Sequence, residues 1–418
     1  MTTDNPLKNL GQDAKDAAGI LAHTTLEQKN AFLKDVATLL RQEQDMILQA
    51  NAQDMSMAEK SGLSPAMLDR LKLDAARLES IAKSVETIIT LPDPVGGQLD
   101  SITRPNGLTI TKIAVPLGVI GVIFEARPNV AIDAAALCLK AGNACILRGG
   151  KDSFGSVAVL TNIMRRALKN NNLPENAVQT IPSADRALVG AMLQLDDYID
   201  VIVPRGGKEL IARVRNESRV PVFSHLDGIC HTYIDKDADP QKALEITLNA
   251  KMRRTGICGA TECLLLHQDI ARTIGKTVID ALIAKDCTVK VPSAYTGLNP
   301  ACEIATDSDY GCEFLAPVLA VQIVASEKEA VDFINRNGSQ HTDAIITENG
   351  ETARYFLKRV NSAIAMHNAS TQFADGGEFG MGAEIGIATG KLHARGPVGL
   401  NQLVTYQYQV HGNGQVRA

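Results

Sequence analysis

Hydrophobic positions recur along this chain in two rhythms, and their order predicts the elements. From about residue 27 to 50, Phe32, Val36 and Leu40 stand four apart, with Leu33, Leu39 and Ile47 beside them. Such spacing lays an apolar stripe down one side of a helix. Residues 66–90 carry a similar stripe, and Leu91-Pro92-Asp93-Pro94 ends it. The N-terminal part is therefore expected to be helical.

Past residue 100 the rhythm changes. Residues 107–114 set Leu108, Ile110 and Ile113 loosely between polar neighbours, the pattern of an exposed strand. After Pro116, the run Leu117-Gly118-Val119-Ile120-Gly121-Val122-Ile123-Phe124 is apolar on both faces, which suits a buried parallel strand. Helices are then expected at about 131–141, 156–170 and 184–193, alternating with strands at 144–147, 177–181 and 198–203. The second half repeats the alternation. Its strands are expected at 231–235, 262–266, 288–291, 317–324 and 343–347, and its helices at 240–250, 270–284, 327–336 and 350–359. This order implies βαβ units and an α/β fold of two doubly wound domains, the second entered after about residue 228. Residues 403–410 alternate strongly and predict an exposed strand. An unpaired strand invites another chain, which points to a homo-oligomer.

Composition removes several function classes. Aromatic residues make up 4% of the 418 and Trp is absent, so the core is aliphatic and a stacking platform for bases is unexpected. The net charge is −5 and no long basic block appears, so no nucleic-acid role is expected. No apolar stretch approaches the ~18 residues of a membrane helix. The start, Met1-Thr2-Thr3-Asp4-Asn5, lacks an apolar leader core. The eight cysteines are scattered without a C-x-x-C pair, so neither a zinc framework nor disulfides are expected. Reduced thiols suit a cytoplasmic protein.

Cys258 is the candidate nucleophile. It lies in Thr255-Gly256-Ile257-Cys258-Gly259-Ala260-Thr261, between basic Lys251, Arg253 and Arg254 and an apolar run. Small neighbours let a carbonyl approach the sulfur, and nearby guanidinium groups favour the thiolate. A buried structural cysteine is the alternative reading. Two loops end buried strands and open helices: Leu147-Arg148-Gly149-Gly150-Lys151 and Val203-Pro204-Arg205-Gly206-Gly207-Lys208. Glycine pairs before a helix bring backbone amides to a phosphate, and Arg and Lys add charge; two ordinary tight turns are the alternative. Neither a G-x-G-x-x-G fingerprint nor a P-loop is present. Arg127 and Asn129, after the buried run, could polarise a carbonyl, or Asn129 could cap the helix entry. His225, His231, His341 and His393 stand apart without metal-ligand spacing and are expected to be structural, with no metal. The glycine-dense stretch 376–390 is expected to be mobile or pressed against a ligand, and Asn368, Ser370 and Thr371 before it offer hydrogen bonds.

Taken together, these segments resemble the aldehyde dehydrogenase superfamily and, within it, the biosynthetic glutamate-5-semialdehyde dehydrogenase family. The resemblance rests on Val115 to Gly121 running into Phe124-Glu125-Ala126-Arg127-Pro128-Asn129-Val130, and on Lys140-Ala141-Gly142-Asn143-Ala144 running into Ile146 to Lys151. It rests also on Ile199 to Gly207, the cysteine segment, His341-Thr342-Asp343-Ala344-Ile345 and the region Phe379 to Leu400. Nearly the whole chain is covered.

The resemblance implies a layout. Residues 1–228 would form an NADP-binding domain, 229–360 a catalytic domain carrying Cys258, 361–400 a return to the first domain, and 401–418 an oligomerisation tail. The strands near 107–114 and 403–410 would make a small β arm between subunits. In this superfamily the cofactor binds without the usual glycine fingerprint. Cys258 matches the nucleophile, Glu313 the acidic residue near the nicotinamide ribose, and Gly206-Gly207 the pyrophosphate turn. Arg148 falls where hydrolytic relatives place a lysine, and Gly149-Gly150 replaces a Pro-Ser pair. Arg127 falls near the oxyanion asparagine, so either Arg127 or Asn129 is the candidate donor. His225-Leu226-Asp227-Gly228 stands in place of Glu-Leu-Gly-Gly, so the glutamate that hydrolyses the thioester is missing.

The reaction implied is NADPH-dependent reduction of L-glutamyl 5-phosphate to L-glutamate 5-semialdehyde and phosphate, a step of proline synthesis. Arg148 and Lys151 would meet the NADP 2′-phosphate, and Asn368, Ser370 and Thr371 would hold the substrate. A glutamate 5-kinase is the implied partner. A CoA-acylating aldehyde dehydrogenase and a non-catalytic scaffold of the same fold are the alternatives.

Overall fold

The computed structural model of the chain describes residues 5–417, so the polar start Met1–Asp4 lies outside the described residues. The chain divides into two compact units. The first runs to Ser224 and includes Gly380–Gly386 and the chain from Val398; the second comprises His225–Phe379 and Ile387–Pro397.

The first unit opens with α1 (Lys8–Leu21), α2 (Leu26–Gln42), α3 (Gln44–Lys60), α4 (Pro65–Leu71) and α5 (Ala75–Thr90). The stripe expected as one helix over 27–50 is broken at Glu43, which leaves the helical region between α2 and α3. The stripe at 66–90 is broken likewise before Asp74, whose carboxylate accepts from Arg77 N–H and caps α5. Thr25 and Gln28 form a capping box on α2. Apolar spacing continues through such breaks, because both helices bury the same face.

Next come β1 (Gln98–Thr103), β2 (Thr109–Pro116), β3 (Val119–Phe124), α6 (Val130–Lys140), β4 (Ala144–Arg148), α7 (Phe154–Asn170), β5 (Val178–Thr180), α8 (Ala187–Leu193), β6 (Val201–Arg205) and α9 (Lys208–Glu217). The parallel sheet has the order β5-β4-β3-β6. Every residue of β3 is buried, as its two-sided apolar run requires. A separate sheet joins β1, β2 and the C-terminal strand Val404–His411. The tail strand expected to be unpaired is in fact paired antiparallel with β2 along its whole length, from Val404↔Pro116 to His411↔Thr109. The liability is thereby moved to the side chains: Leu99, Ile102, Tyr406, Tyr408 and Val410 are exposed.

The second unit holds β7 (Cys230–Ile234), α10 (Pro240–Met252), β8 (Thr261–His267), α11 (Ile274–Ile283), β9 (Thr288–Val291), β10 (Glu303–Ile304), β11 (Val318–Val324), α12 (Glu327–Asn337), β12 (Thr342–Ile346), α13 (Gly350–Arg359) and β13 (Ile364–His367). Its seven strands are parallel in the order β10-β9-β11-β8-β7-β12-β13. Alternate residues of one strand feed two cores. Leu264 and Leu266 pack with Val278, Ile279 and Leu282 of α11 on one face. Cys263 and Leu265 pack with Val331 and Ile334 of α12 and Phe356 of α13 on the other. Each such buried side chain contributes roughly 1.5–3 kcal/mol.

The chain's return to the first unit differs from the expected span 361–400. β13 pairs with β12, from Thr342↔Ile364 to Ile345↔His367, and so keeps residues 361–379 in the second unit. Among the described residues no helix is long and apolar enough to cross a membrane. No disulfide joins any of the eight cysteines.

Candidate active site

Cys258 occupies a turn between α10 and β8 and is half-buried. Fully buried β8 anchors the turn on one side. On the other, Gln372 spans it: Nε2 donates to Ala250 O at 2.9 Å and to Arg254 O at 3.3 Å, while Oε1 accepts from Arg253 Nε at 2.9 Å. The basic flank is thus largely committed. Lys251 is buried against Glu262, and burial pushes that carboxyl up to about 7 against the pull of Lys251. The charge of Lys251 is therefore answered by Glu262, while Arg253 and Arg254, whose guanidinium groups were expected to favour the thiolate, are exposed.

Gly228 meets Cys258 directly. A Cβ on Gly228 would lie 2.5 Å from Cys258 Cα and 2.6 Å from its Cβ. The Gly228 N–H donates to Glu313 Oε1 at 2.8 Å, so Glu313 holds the stretch of backbone that backs Cys258. Cys230 donates its thiol proton to Cys258 O at 3.1 Å, and burial raises the Cys230 pKa, keeping it a donor and not a nucleophile.

Two of the histidines expected to stand apart come together here. A ring nitrogen of His225, one of His341 and the Cys258 sulfur lie within 4.8 Å of one another. The rings are edge to face with centroids 5.1 Å apart. His225 Nδ1 is 2.8 Å from Ile387 O, and His341 Nδ1 is 2.9 Å from Thr342 Oγ1. His341 is wholly buried, which lowers its pKa to about 3, and its Nε2 has no hydrogen-bond partner among the described residues. His231 instead pairs through Nδ1 with Asp343 at 2.8 Å inside the sheet.

Parallel pairing explains the cluster. His225 and Gly228 precede β7, Cys258 precedes β8, and His341 precedes β12. These strands are neighbours in the order β8-β7-β12, so their amino ends converge at one edge. Open α/β sheets usually bind ligands at the opposite, carboxyl edge. No local signal in the sequence marks this site as an exception.

Apart from Glu313, which lies in the second unit, the cofactor candidates lie in the first unit, at the carboxyl ends of β4 and β6. Arg148 is 7% exposed; Nη1 donates to Gly149 O at 2.7 Å and Nη2 to Ala184 O at 3.0 Å, and burial lowers its pKa. Gly150 opens the 3₁₀ turn that carries Lys151, which is exposed. At β6, Gly206 has no room for a side chain: a Cβ would come 2.6 Å from Glu125 Oε2. The same carboxylate accepts from Gly207 N–H at 2.9 Å, at the start of α9. Arg127 follows Ala126, whose φ of 37° is left-handed. Asn129 occupies the N-cap position of α6 without a side-chain cap bond; its amide donates to Asp133 Oδ2 at 2.9 Å, and burial raises the Asp133 carboxyl to about 6.

The substrate candidates are engaged with their own neighbours. Asn368 Nδ2 donates to Thr347 O at 3.0 Å, and its Oδ1 accepts from Thr347 N–H at 3.0 Å. Ser370 accepts from Gln372 N–H, and Thr371 shares a hydroxyl contact with Thr261 at 3.0 Å. The Thr371 carbonyl would lie 3.2 Å from a Cβ on Gly259, so this loop packs on the cysteine turn. In the glycine-dense stretch, Gly382 is pressed against Leu91 and Gly386 against the Arg205 side chain.

Fold and cysteine turn define an aldehyde dehydrogenase, and the model of the aldehyde dehydrogenase family matches residues 2–305. The chain is 53% identical over 414 residues to the gamma-glutamyl phosphate reductase of Paramagnetospirillum magneticum, covering 99% of this chain and 98% of that protein. It is 51% identical over 420 residues to the gamma-glutamyl phosphate reductase of Rhodospirillum rubrum, covering 100% and 98%. The crystal structure of gamma-glutamyl phosphate reductase from Thermotoga maritima matches with a TM-score of 0.96 at 38% identity, covering 99% of this chain and 100% of that one. This chain belongs to the aldehyde dehydrogenase family and, within it, to the gamma-glutamyl phosphate reductases.

Proposed function

We propose that the protein reduces L-glutamyl 5-phosphate to L-glutamate 5-semialdehyde and phosphate, with NADPH as reductant and a thioester on Cys258 as intermediate. The observation that carries this reading is the half-exposed Cys258, backed by Gly228, in a chain 53% identical to a protein named for that activity.

Cys258 Sγ attacks the acyl carbon, its proton passes to solvent, and phosphate leaves with the C–O bonding pair. The Cys258 backbone N–H stabilises the negative oxygen formed in between. His225 stands where hydrolytic relatives carry their base, so the acyl group waits on the sulfur. NADPH, when bound, supplies the hydride that converts the acyl carbon to the aldehyde. Cys258 then leaves as the thiolate and is ready for a further turn.

The first unit's loops fit such a cofactor. Gly207 N–H already receives a carboxylate at the start of a helix, a site suited to pyrophosphate. Gly149, Gly150 and Gly206 keep the surrounding turns free of side chains, and exposed Lys151 is available to the 2′-phosphate. Arg148, tied to two carbonyls, would stiffen that loop. Near Cys258, the Asn368–Thr371 loop would hold the substrate through main-chain groups, since its side chains are engaged inward. A second copy of the chain would cover Leu99, Ile102, Tyr406, Tyr408 and Val410. A glutamate 5-kinase would supply the acyl phosphate.

The test runs the reaction backwards. Protein, NADP, L-glutamate 5-semialdehyde and inorganic phosphate should generate NADPH absorbance, and omission of phosphate should stop it. Turnover with CoA in place of phosphate would assign the chain to acyl-CoA reduction instead. No turnover with either acceptor would leave a non-catalytic scaffold.

A further inference from the structure

We propose that His225, His341 and Cys258 form a binding site for a borderline-soft divalent cation such as Zn²⁺, which caps the nucleophile reversibly. Their donor atoms already lie within 4.8 Å of one another. One thiolate and two imidazoles are a ligand set that zinc favours. Three protein ligands leave the fourth position to water.

Both histidines are presented as ligands. The Ile387 carbonyl can only accept, so His225 Nδ1 must carry the proton, and in the neutral ring Nε2 is the ligand atom. A backbone carbonyl on the far nitrogen is the usual outer shell of a metal-bound histidine. His341 Nδ1 lies 2.9 Å from the Thr342 hydroxyl, which can accept its proton and leave Nε2 for a metal. Its buried Nε2 has no hydrogen-bond partner among the described residues. Buried polar atoms left unmatched are uncommon and call for a cause.

The geometry needs only local closure. Zinc bond lengths put a sulfur and a nitrogen ligand roughly 3.6 Å apart. His341 is fixed within the sheet edge, whereas Cys258 and His225 sit half-buried in the segments before β8 and β7 and can approach it. Binding exchanges the thiol proton for the metal, with no change of oxidation state. The sulfur lone pair is then engaged, so acyl transfer stops and alkylation of the sulfur slows.

The test uses the intact protein and Co²⁺ as a spectroscopic probe, then Zn²⁺ as competitor. One Co²⁺ per chain should bind with a thiolate charge-transfer band, and Zn²⁺ should bleach it and slow iodoacetamide labelling of Cys258. His341→Gln and His225→Gln should each weaken binding about 100-fold or more, and Cys258→Ser should lose the band. Co²⁺ bound without the band, or with equal affinity in both histidine variants, would overturn the site. If His341→Gln does not fold, His225→Gln alone decides. None of these readouts needs turnover, so the metal site and the reductase reading fail separately.

Discussion

Gly228 lies flat against Cys258, leaving a Cβ on Gly228 only 2.6 Å from that of Cys258, while its N–H is held by Glu313. One residue thus links an acidic side chain to the backbone of Cys258. Gly228→Ala must displace the cysteine turn, because the atoms in the way are backbone. Such misplacement of a reacting group costs on the order of 100-fold in rate. The expected result is a kcat reduced by that factor with the fold intact by circular dichroism; an unchanged kcat would show that the turn absorbs the methyl group.

Cys258→Ala should abolish reduction while NADPH binding, measured by fluorescence titration, stays within about twofold. Cys230 cannot replace it, since burial holds its thiol protonated. An acyl adduct trapped on Cys230 in this variant would contradict that assignment.

The Glu125 carboxylate occupies the Gly207 N–H, where the proposed pyrophosphate would sit. Glu125→Gln removes a competing negative charge from the start of α9. Charge at a helix end is worth about 0.3–1 kcal/mol. NADPH should therefore bind roughly two- to fivefold tighter, by isothermal calorimetry; weaker binding would mean that Glu125 holds the turn in its receptive shape.

Asp133 makes stability pH-dependent. Its carboxyl is raised to about 6 in the folded chain, first by burial, from 3.8 in the unfolded chain. Between those values the folded state keeps a proton that the unfolded state has lost, so stability falls as pH rises through that window. Above pH 6 the full cost is at most about 3 kcal/mol. Asp133→Asn should raise the melting temperature at pH 7.5, and the gain should vanish near pH 4. An equal gain at both pH values would remove the titration from the account.

The strands most easily foreseen were those buried on both faces. β3 is apolar throughout, and β8 and β12 are wholly buried around the apolar runs Cys263–Leu266 and Ala344–Ile346, because helices cover each side of their sheets. The break at Glu43 left none, since α2 and α3 share one apolar spacing. β1 was missed because all six of its residues are exposed and carry no alternation to find. β13 is only four residues long, too short to show a period.

Residue type and local spacing were enough to settle the α/β class and the βαβ alternation and to single out Cys258 as a candidate, because each depends on neighbours in the chain. The company that Cys258 keeps was settled elsewhere. Gly228, His225 and His341 reach it only because β7, β8 and β12 run side by side with their amino ends at one edge. Strand order is fixed by pairing between distant segments, and no short stretch of residues records which strand will lie beside it.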